Sequence, residues 1–204
     1  MSGLTSQSVE HTKTRVYCEG DAMNRTRLHG TDGIRGRVDS FSGDDLGALQ
    51  ALIDQRILSN RAMRIIGEAT GLFLIQDVGD SPLVLIGWDR REGNTGLVDA
   101  LQSGLGVAGC RTMRIGEVPT PGIHHAVLAC AGDAGMMVTA SHNPATDSGV
   151  KLFDADGYKS MPDTEDHISR LAWDLADGTL ATPQEQGEIL EEIDGMSLYK
   201  NAIR

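Results

Sequence analysis

No run of apolar residues in this sequence approaches the roughly 20 that a membrane-spanning helix needs. Residues 1–20 lack the apolar core of a secretory leader. Cysteine is scarce. Cys18, Cys110 and Cys130 are odd in number and widely spaced, which suggests neither a disulfide framework nor a zinc site. The three thiols read as small core or surface residues. A basic surplus is missing too, and the net charge of −11 argues against a nucleic-acid partner. These absences lead us to expect a cytoplasmic chain with no nucleic-acid and no membrane partner.

What is present suffices for one good-sized domain. The 204 residues are 40% hydrophobic, as in soluble globular proteins. Acid is concentrated late, with 12 Asp/Glu against 2 Lys/Arg from Asp154 to Asp194, and this reads as a solvated face rather than a site. Residues 1–22 are polar and show no period, so a disordered extension is expected there, with Met23 as a candidate start.

The chemistry centres on one strand and the loop behind it. Ala134–Val138 is an apolar run too short for a typical helix and reads as a buried strand. Thr139-Ala140-Ser141-His142-Asn143-Pro144 follows, placing a serine at the carboxyl edge, where open α/β sheets bind ligands. A second strand, Val150–Phe153, comes too soon for a parallel crossover, so the return is antiparallel and brings Lys151 toward Ser141. A serine hydroxyl is a weak nucleophile without help. A phosphoserine would find suitable company in Lys151, His142 and loop amides. From residue types alone, a Ser-His pair in a turn and a lysine on a strand are also ordinary. Gly30, Gly33 and Gly36 flank Arg35, whose planar guanidinium can grip phosphate oxygens in pairs.

The remaining chain alternates strands and helices. Leu46, Leu49, Ile53 and Ile57 recur at helical spacing, as do Ala62, Ile65, Ile66, Ala69, Leu72 and Phe73, with a break near Ser59-Asn60. Leu83–Gly87 reads as a buried strand, with Asp89, Arg90 and Arg91 at its carboxyl edge. The two arginines either support the serine loop or pair with Asp89 and Glu92. Leu97, Leu101 and Leu105 make a helix face, Arg111–Ile115 a strand, and Pro119-Thr120-Pro121 opens a helix running from about Gly122 to Cys130. His124 and His125 read as helix residues rather than metal ligands. A helix after Pro162 is capped by Asp163, turns Ile168, Leu171, Ala172 and Leu175 inward, and ends at Gly178. Residues 183–196 read as a connector, and Met196 begins another helical stretch. The fold class is a three-layer α/β/α sandwich with a mixed, mostly parallel sheet.

Thr139–Pro144, followed by Gly149-Val150-Lys151, resembles the active-serine motif of the α-D-phosphohexomutases. Gly30-Thr31-Asp32-Gly33-Ile34-Arg35-Gly36, Gly87-Trp88-Asp89-Arg90-Arg91 and Val118-Pro119-Thr120-Pro121 are similar to three further family segments, in the family's order. Asp156-Gly157-Tyr158-Lys159 resembles a segment of the phosphoglucosamine mutases. His29 stands where the family usually has an aromatic, commonly Phe, and Ser148 where it commonly has Asn. Gly43–Leu58 looks like an insertion.

The resemblance implies a division of domains and roles. Residues 23–195 would be domain I, and 196–204 would lead toward a second domain. Phospho-Ser141 would pass its phosphoryl group to a hexose phosphate, glucosamine phosphate first, with mannose or glucose phosphate next. It would take the other phosphate back from a bisphosphate intermediate. Arg35 and Lys151 would stabilise the transferring group, Lys151 or His142 would assist proton transfer, and Asn143 would hold the loop. A hexose 1,6-bisphosphate would serve as activator. Mg²⁺ would bind the phosphate on Ser141 and an Asp-x-Asp-x-Asp-Arg loop of domain 2, a string this sequence lacks. Domains 2–4, or a complementary chain, would complete the site. The alternative is a non-catalytic domain that binds a sugar phosphate or a partner.

Overall fold

A computed structural model describes residues 25–182 and 186–204. The extension expected over residues 1–22, together with Cys18 and Met23, lies outside them. In chain order the elements are β1 (Ile34–Val38), α1 (Asp45–Gln55), β2 (Ile57–Leu58), α2 (Asn60–Asp77), β3 (Leu83–Trp88) and α3 (Asn94–Val107). There follow β4 (Arg111–Glu117), α4 (Thr120–Cys130), β5 (Ala134–Val138), β6 (Asp147–Phe153), α5 (Pro162–Ala176) and α6 (Gly195–Ala202).

One sheet runs β2-β1-β6-β5-β3-β4. β3 pairs in parallel with β4 and β5, and β1 with β2. β6 is antiparallel to both of its neighbours, β1 and β5, as the short connection requires. Successive strand side chains point to opposite faces. Val84, Ile86, Met136, Val138, Val150 and Leu152 therefore join one core with α1, α2, α3 and α5. Leu83, Leu85, Met137 and Phe153 join another with α4 and partly buried residues of α6. The sheet is the middle layer of three. Cys110 is buried, which pushes its thiol up to about 12, and Cys130 is half-buried.

Three local expectations give way to tertiary context. Ile57 does not continue the first helix. Arg56 enters the left-handed region at φ 57°, and Ile57 and Leu58 pair with Arg37 and Val38 of β1. Backbone pairing to the sheet outweighs helical periodicity here. Asp163 does not cap α5. Met161 occupies the N-cap position with no side-chain cap, and Pro162 fills the first turn, where no N–H is needed. From Glu188 on, the segment read as a connector lies along the outer edge of β4. Thr112 N–H donates to Glu188 O at 2.8 Å, Leu190 N–H to Thr112 O at 2.8 Å, and Ile193 N–H to Arg114 O at 3.0 Å.

The N-terminal arm reaches the site by way of α5. Trp173 Nε1 donates to Thr26 O at 2.9 Å, and Leu28 N–H donates to Ser169 Oγ at 3.2 Å. Arg25 pairs with Asp174 and Asp177. Partly solvated pairs near a surface contribute only about 0.2–1 kcal/mol each, so the buried contacts are the firmer hold on the arm. Glu165 departs from the solvated reading of the acidic tract. It is buried and accepts from Arg27 at 2.6 Å and Lys159 at 2.7 Å. Burial pushes its carboxyl up, but the Lys159 hydrogen bond, His29 and Arg27 together hold it below the usual range. His29 packs beside it, with Nδ1 at 3.2 Å from Ser169 Oγ. Burial lowers the His29 pKa to about 4, Glu165 and Asp166 opposing and Arg27 and Lys159 adding to the shift.

α2 and α3 touch backbone to backbone. A Cβ at Gly104 would collide with the Arg64 carbonyl oxygen, and one at Gly67 with the Leu101 carbonyl oxygen. Gly104→Ala should therefore destabilise by about 2 kcal/mol or more, read as a lower urea midpoint at unchanged slope. Gly106→Ala, where a Cβ meets nothing within 4 Å, should be neutral or stabilise by about 0.5–1 kcal/mol. His29 makes a second prediction. Its folded pKa lies below its unfolded one, so below pH 6.5 the unfolded chain takes up a proton that the native one refuses. Its contribution is full above pH 6.5 and falls, by roughly 3 kcal/mol in all, as the pH drops toward about 4. His29→Phe should flatten the fall in stability over that window, measured by denaturation at each pH.

Candidate functional site

The serine loop leaves the carboxyl end of β5 and returns as β6. Ser141 sits in the left-handed region, φ 53°, one of only four non-glycine residues with positive φ among those described. A side-chain-bearing residue pays for that conformation in strain, and such strain clusters at functional sites. The backbone around it is fixed on both sides. Ser141 N–H donates to Thr139 Oγ1 at 2.9 Å, and Thr139 Oγ1 donates to Asp89 Oδ2 at 2.5 Å. The Ser141 carbonyl accepts from Arg91.

Arg91 does both things the sequence left open. Its Nε donates to Asp89 at 3.1 Å, while its Nη atoms reach the carbonyls of Ser141, Asn143 at 3.2 Å, Pro144 at 2.6 Å and Asp147 at 2.9 Å. One planar cation thus gathers four loop carbonyls. Arg90 instead points away, pairs with Glu117 at 2.9 Å and is 90% exposed. Beneath the loop lies Asn94, fully buried. It donates to Asp89 Oδ1 at 2.7 Å and accepts from Ser148 Oγ at 2.5 Å. Ser148 is buried, so its short side chain ties the start of β6 to this floor.

The Gly30–Gly36 loop meets the serine loop across β6. Arg35 pairs with Gly149 in the sheet register, and Ile34 with Val150. Gly33 has φ 91°, and a Cβ there would collide with the Val150 carbonyl oxygen and lie 3.1 Å from Lys151 Cγ. Only glycine allows this approach. Arg35 Nη1 donates to Asn143 Oδ1 at 3.0 Å, and Asn143 Nδ2 donates to Asp147 Oδ2 at 3.0 Å. Arg35 Nη2 pairs with Asp32 Oδ2, and Lys151 Nζ reaches the same oxygen at 2.9 Å. Ile34, Val150 and Leu152 face the larger core, so Arg35 and Lys151 project from the other face of the sheet. There α4 and α6 pack chiefly over β3, β4 and β5.

Of the five residues expected in the site, the structure joins Arg35 to Asn143 directly and to Lys151 through Asp32. Ser141 belongs to the same loop as Asn143. His142 is exposed and takes no hydrogen bond among the described residues. A cleft of about 720 Å³ opens beside the loop, lined by Asp89, Arg91, Asn143 and Thr146 among others, but not by Ser141 or Lys151. Sequence reasoning assigned no role to Asp32, Asn94 or Thr139. Asp32 had one visible signal, a carboxylate three residues from an arginine; a buried asparagine opening a helix had none.

The donors present do not by themselves make a magnesium site. Among the described residues no three His, Cys, Asp or Glu side chains are grouped to hold a metal ion, and Asp32 is already engaged with two cations. Nor is any helix of the described residues long and apolar enough to cross a membrane.

The profile described as phosphoglucomutase/phosphomannomutase, alpha/beta/alpha domain I, matches residues 26–179. A phosphoglucosamine mutase of Listeria welshimeri is 36% identical over 161 residues, which are 79% of this chain and 32% of that protein. One of Frankia alni is 40% identical over 145 residues, covering 71% of this chain and 30% of its own. A solved phosphoglucomutase/phosphomannomutase family protein from Burkholderia thailandensis matches with a TM-score of 0.65 at 25% identity, over 87% of this chain and 35% of that one. The chain thus spans about a third of the length of the curated relatives it matches. The matched residues take in every loop that builds the site, and the chain belongs to the phosphoglucomutase/phosphomannomutase family, as its α/β/α domain I.

Proposed function

We propose that this domain carries the phosphoryl-bearing serine of a phosphohexomutase, with Ser141 as the residue that gives and takes the phosphoryl group. The observation that carries this reading is the setting of Ser141. It holds a strained backbone at the end of β5, on a loop gathered by Arg91 and tied through Asn143 to Arg35. The loop is held through its backbone, so the hydroxyl takes no part in holding it. Preorganisation of this kind is what a transfer step needs, because misplacement by 1 Å can cost about 10²-fold in rate.

The chemistry follows from the residues. A hydroxyl of the sugar attacks phosphorus; the bond from Ser141 Oγ to phosphorus breaks as the new one forms. The reverse step, on the other phosphate of the bisphosphate intermediate, restores the phosphoserine. Arg35 and Lys151 offer positive charge to the equatorial oxygens, where charge accumulates. The proton of the attacking hydroxyl needs an acceptor. His142 is exposed and takes no hydrogen bond among the described residues, and Lys151 is given to the phosphoryl oxygens, so His142 is the better candidate within this chain.

Glucosamine phosphate is the favoured substrate because the relatives in Listeria welshimeri and Frankia alni are phosphoglucosamine mutases. The Asp156–Lys159 segment supports this as a family mark only. Its Lys159 is committed to Glu165 at 2.7 Å. We place domain I at residues 23–195, with 196–204 leading toward a second domain. The sugar-reading parts, the remaining magnesium ligands and the full activity are assigned to domains beyond those in hand.

The test uses the protein in which this domain is joined to the rest of the enzyme. After treatment with glucosamine 1,6-bisphosphate, mass spectrometry should place one phosphoryl group on Ser141, and none in Ser141→Ala. That variant should also lose turnover by roughly 10⁴-fold or more. Phosphorylation elsewhere, or near-normal turnover without Ser141, would remove it from the mechanism. Arg91 makes a prediction for the 204-residue chain itself. Arg91→Lys keeps the charge but loses the fork, so hydrogen exchange at the amides of residues 141–143 and 145–147 should speed up by about tenfold or more while exchange in β3 and β5 stays unchanged.

A further inference from the structure

The two cations of the site converge on one oxygen. Asp32 Oδ2 accepts from Arg35 Nη2 and from Lys151 Nζ. Arg35 and Lys151 are largely buried, with side-chain exposures of 20% and 10%, whereas Asp32 is 48% exposed. The cations are fixed and the anion is the movable member.

The match is also incomplete. Nε and Nη2 form one edge of the Arg35 guanidinium, the edge that binds oxyanions with two parallel hydrogen bonds. Nη2 holds Asp32, but Nε is buried with no hydrogen-bond partner, the only such side-chain atom among the described residues. A buried unpaired donor has given up its hydrogen bond to water with nothing in return, and the loss is greater on a charged group. Arg35 Nε, Arg35 Nη2 and Lys151 Nζ make three donors, and the single oxygen of Asp32 satisfies two. A phosphoryl group has three terminal oxygens and a larger charge, and can satisfy all of them.

We propose that Asp32 is a stand-in anion for the phosphoryl group. Its carboxylate holds Arg35 and Lys151 together, and it yields them to phosphoryl oxygens, swinging outward as they enter. Asp32 is then a positioning residue with a competing role. It keeps the two cations in place and sets how tightly the site grips a phosphoryl group, so that phospho-Ser141 is held without being trapped. This rests on the reading of Arg35 and Lys151 as the phosphoryl-binding cations.

The test is a titration of the chain with inorganic phosphate, followed by NMR at the amides of Gly33, Arg35 and Gly149. Asp32→Asn should bind phosphate about tenfold tighter than the wild type. Asp32→Ser, smaller and equally neutral, should change in the same direction, so a folding defect in one variant does not decide the matter. Asp39→Asn removes the same charge from a residue paired with Arg37 outside the site, and should leave the affinity within about twofold. Thermal denaturation adds a readout: both Asp32 variants should be less stable without phosphate and recover more than the wild type when it is added. Unchanged phosphate affinity in both Asp32 variants overturns the proposal while leaving the cation site intact. Lys151→Met should abolish binding in every background. If it does not, the reading of the cation site fails first, and the proposal with it.

Discussion

The antiparallel return of β6 between β1 and β5 is the constraint on which the site depends. Its register sets Gly149 opposite Arg35 and Val150 opposite both Ile34 and Val138. Two loops that are about a hundred residues apart in the chain are thereby held side by side. Because side chains alternate along a strand, Val150 enters the core while Lys151 emerges on the face that Arg35 shares. A slip of one residue would exchange them. The large apolar core on the α2 side therefore does more than stabilise. It fixes which residues of β6 are available for chemistry.

Under the serine loop the protein has a small polar floor rather than an apolar one. Asn94, Asp89, Thr139 and Ser148 satisfy one another, and Arg91 extends the network to the carbonyls of the loop. A buried network of this kind is costly when partly satisfied and rigidifying when complete. Here it is complete, save for Arg35 Nε at its border. The loop is thus an exposed, glycine-poor stretch with the definition of a secondary-structure element. Ser148 closes this floor from the β6 side, donating its hydroxyl to Asn94 Oδ1.

Much of the fold could be read from local pattern. The apolar runs Leu83–Gly87 and Ala134–Val138 are strands because nothing else buries so short a segment on both faces. The return of Val150–Phe153 followed from connection length alone. What escaped had no local signal. Ile57 obeyed the helical period and left it to pair with β1, and residues 187–193 joined β4 with no strand-like pattern to announce it. At the site, Ser141, Arg35 and Lys151 stood in recognisable strings. Arg91 stood in such a string too, with its two roles left open, because loop carbonyls, which every residue carries alike, cannot be told apart in a sequence. Asn94 had no signal, since its partners Asp89 and Ser148 meet it only once the strands are assembled. The acidic tract misled in one place: Glu165 counts as surface charge by composition, yet Arg27 and Lys159 draw it inside.

The way the sheet ends has a consequence for the molecule in solution. On one side β2 is only two residues long, and on the other residues 187–193 occupy the outer rim of β4. A sheet grows by recruiting strands at free rims, and a long bare one is the template for fibrillar growth. Among the described residues neither rim offers that template. Recruitment of a further strand, the step by which a bare sheet polymerises, is thereby blunted at both rims of the described sheet.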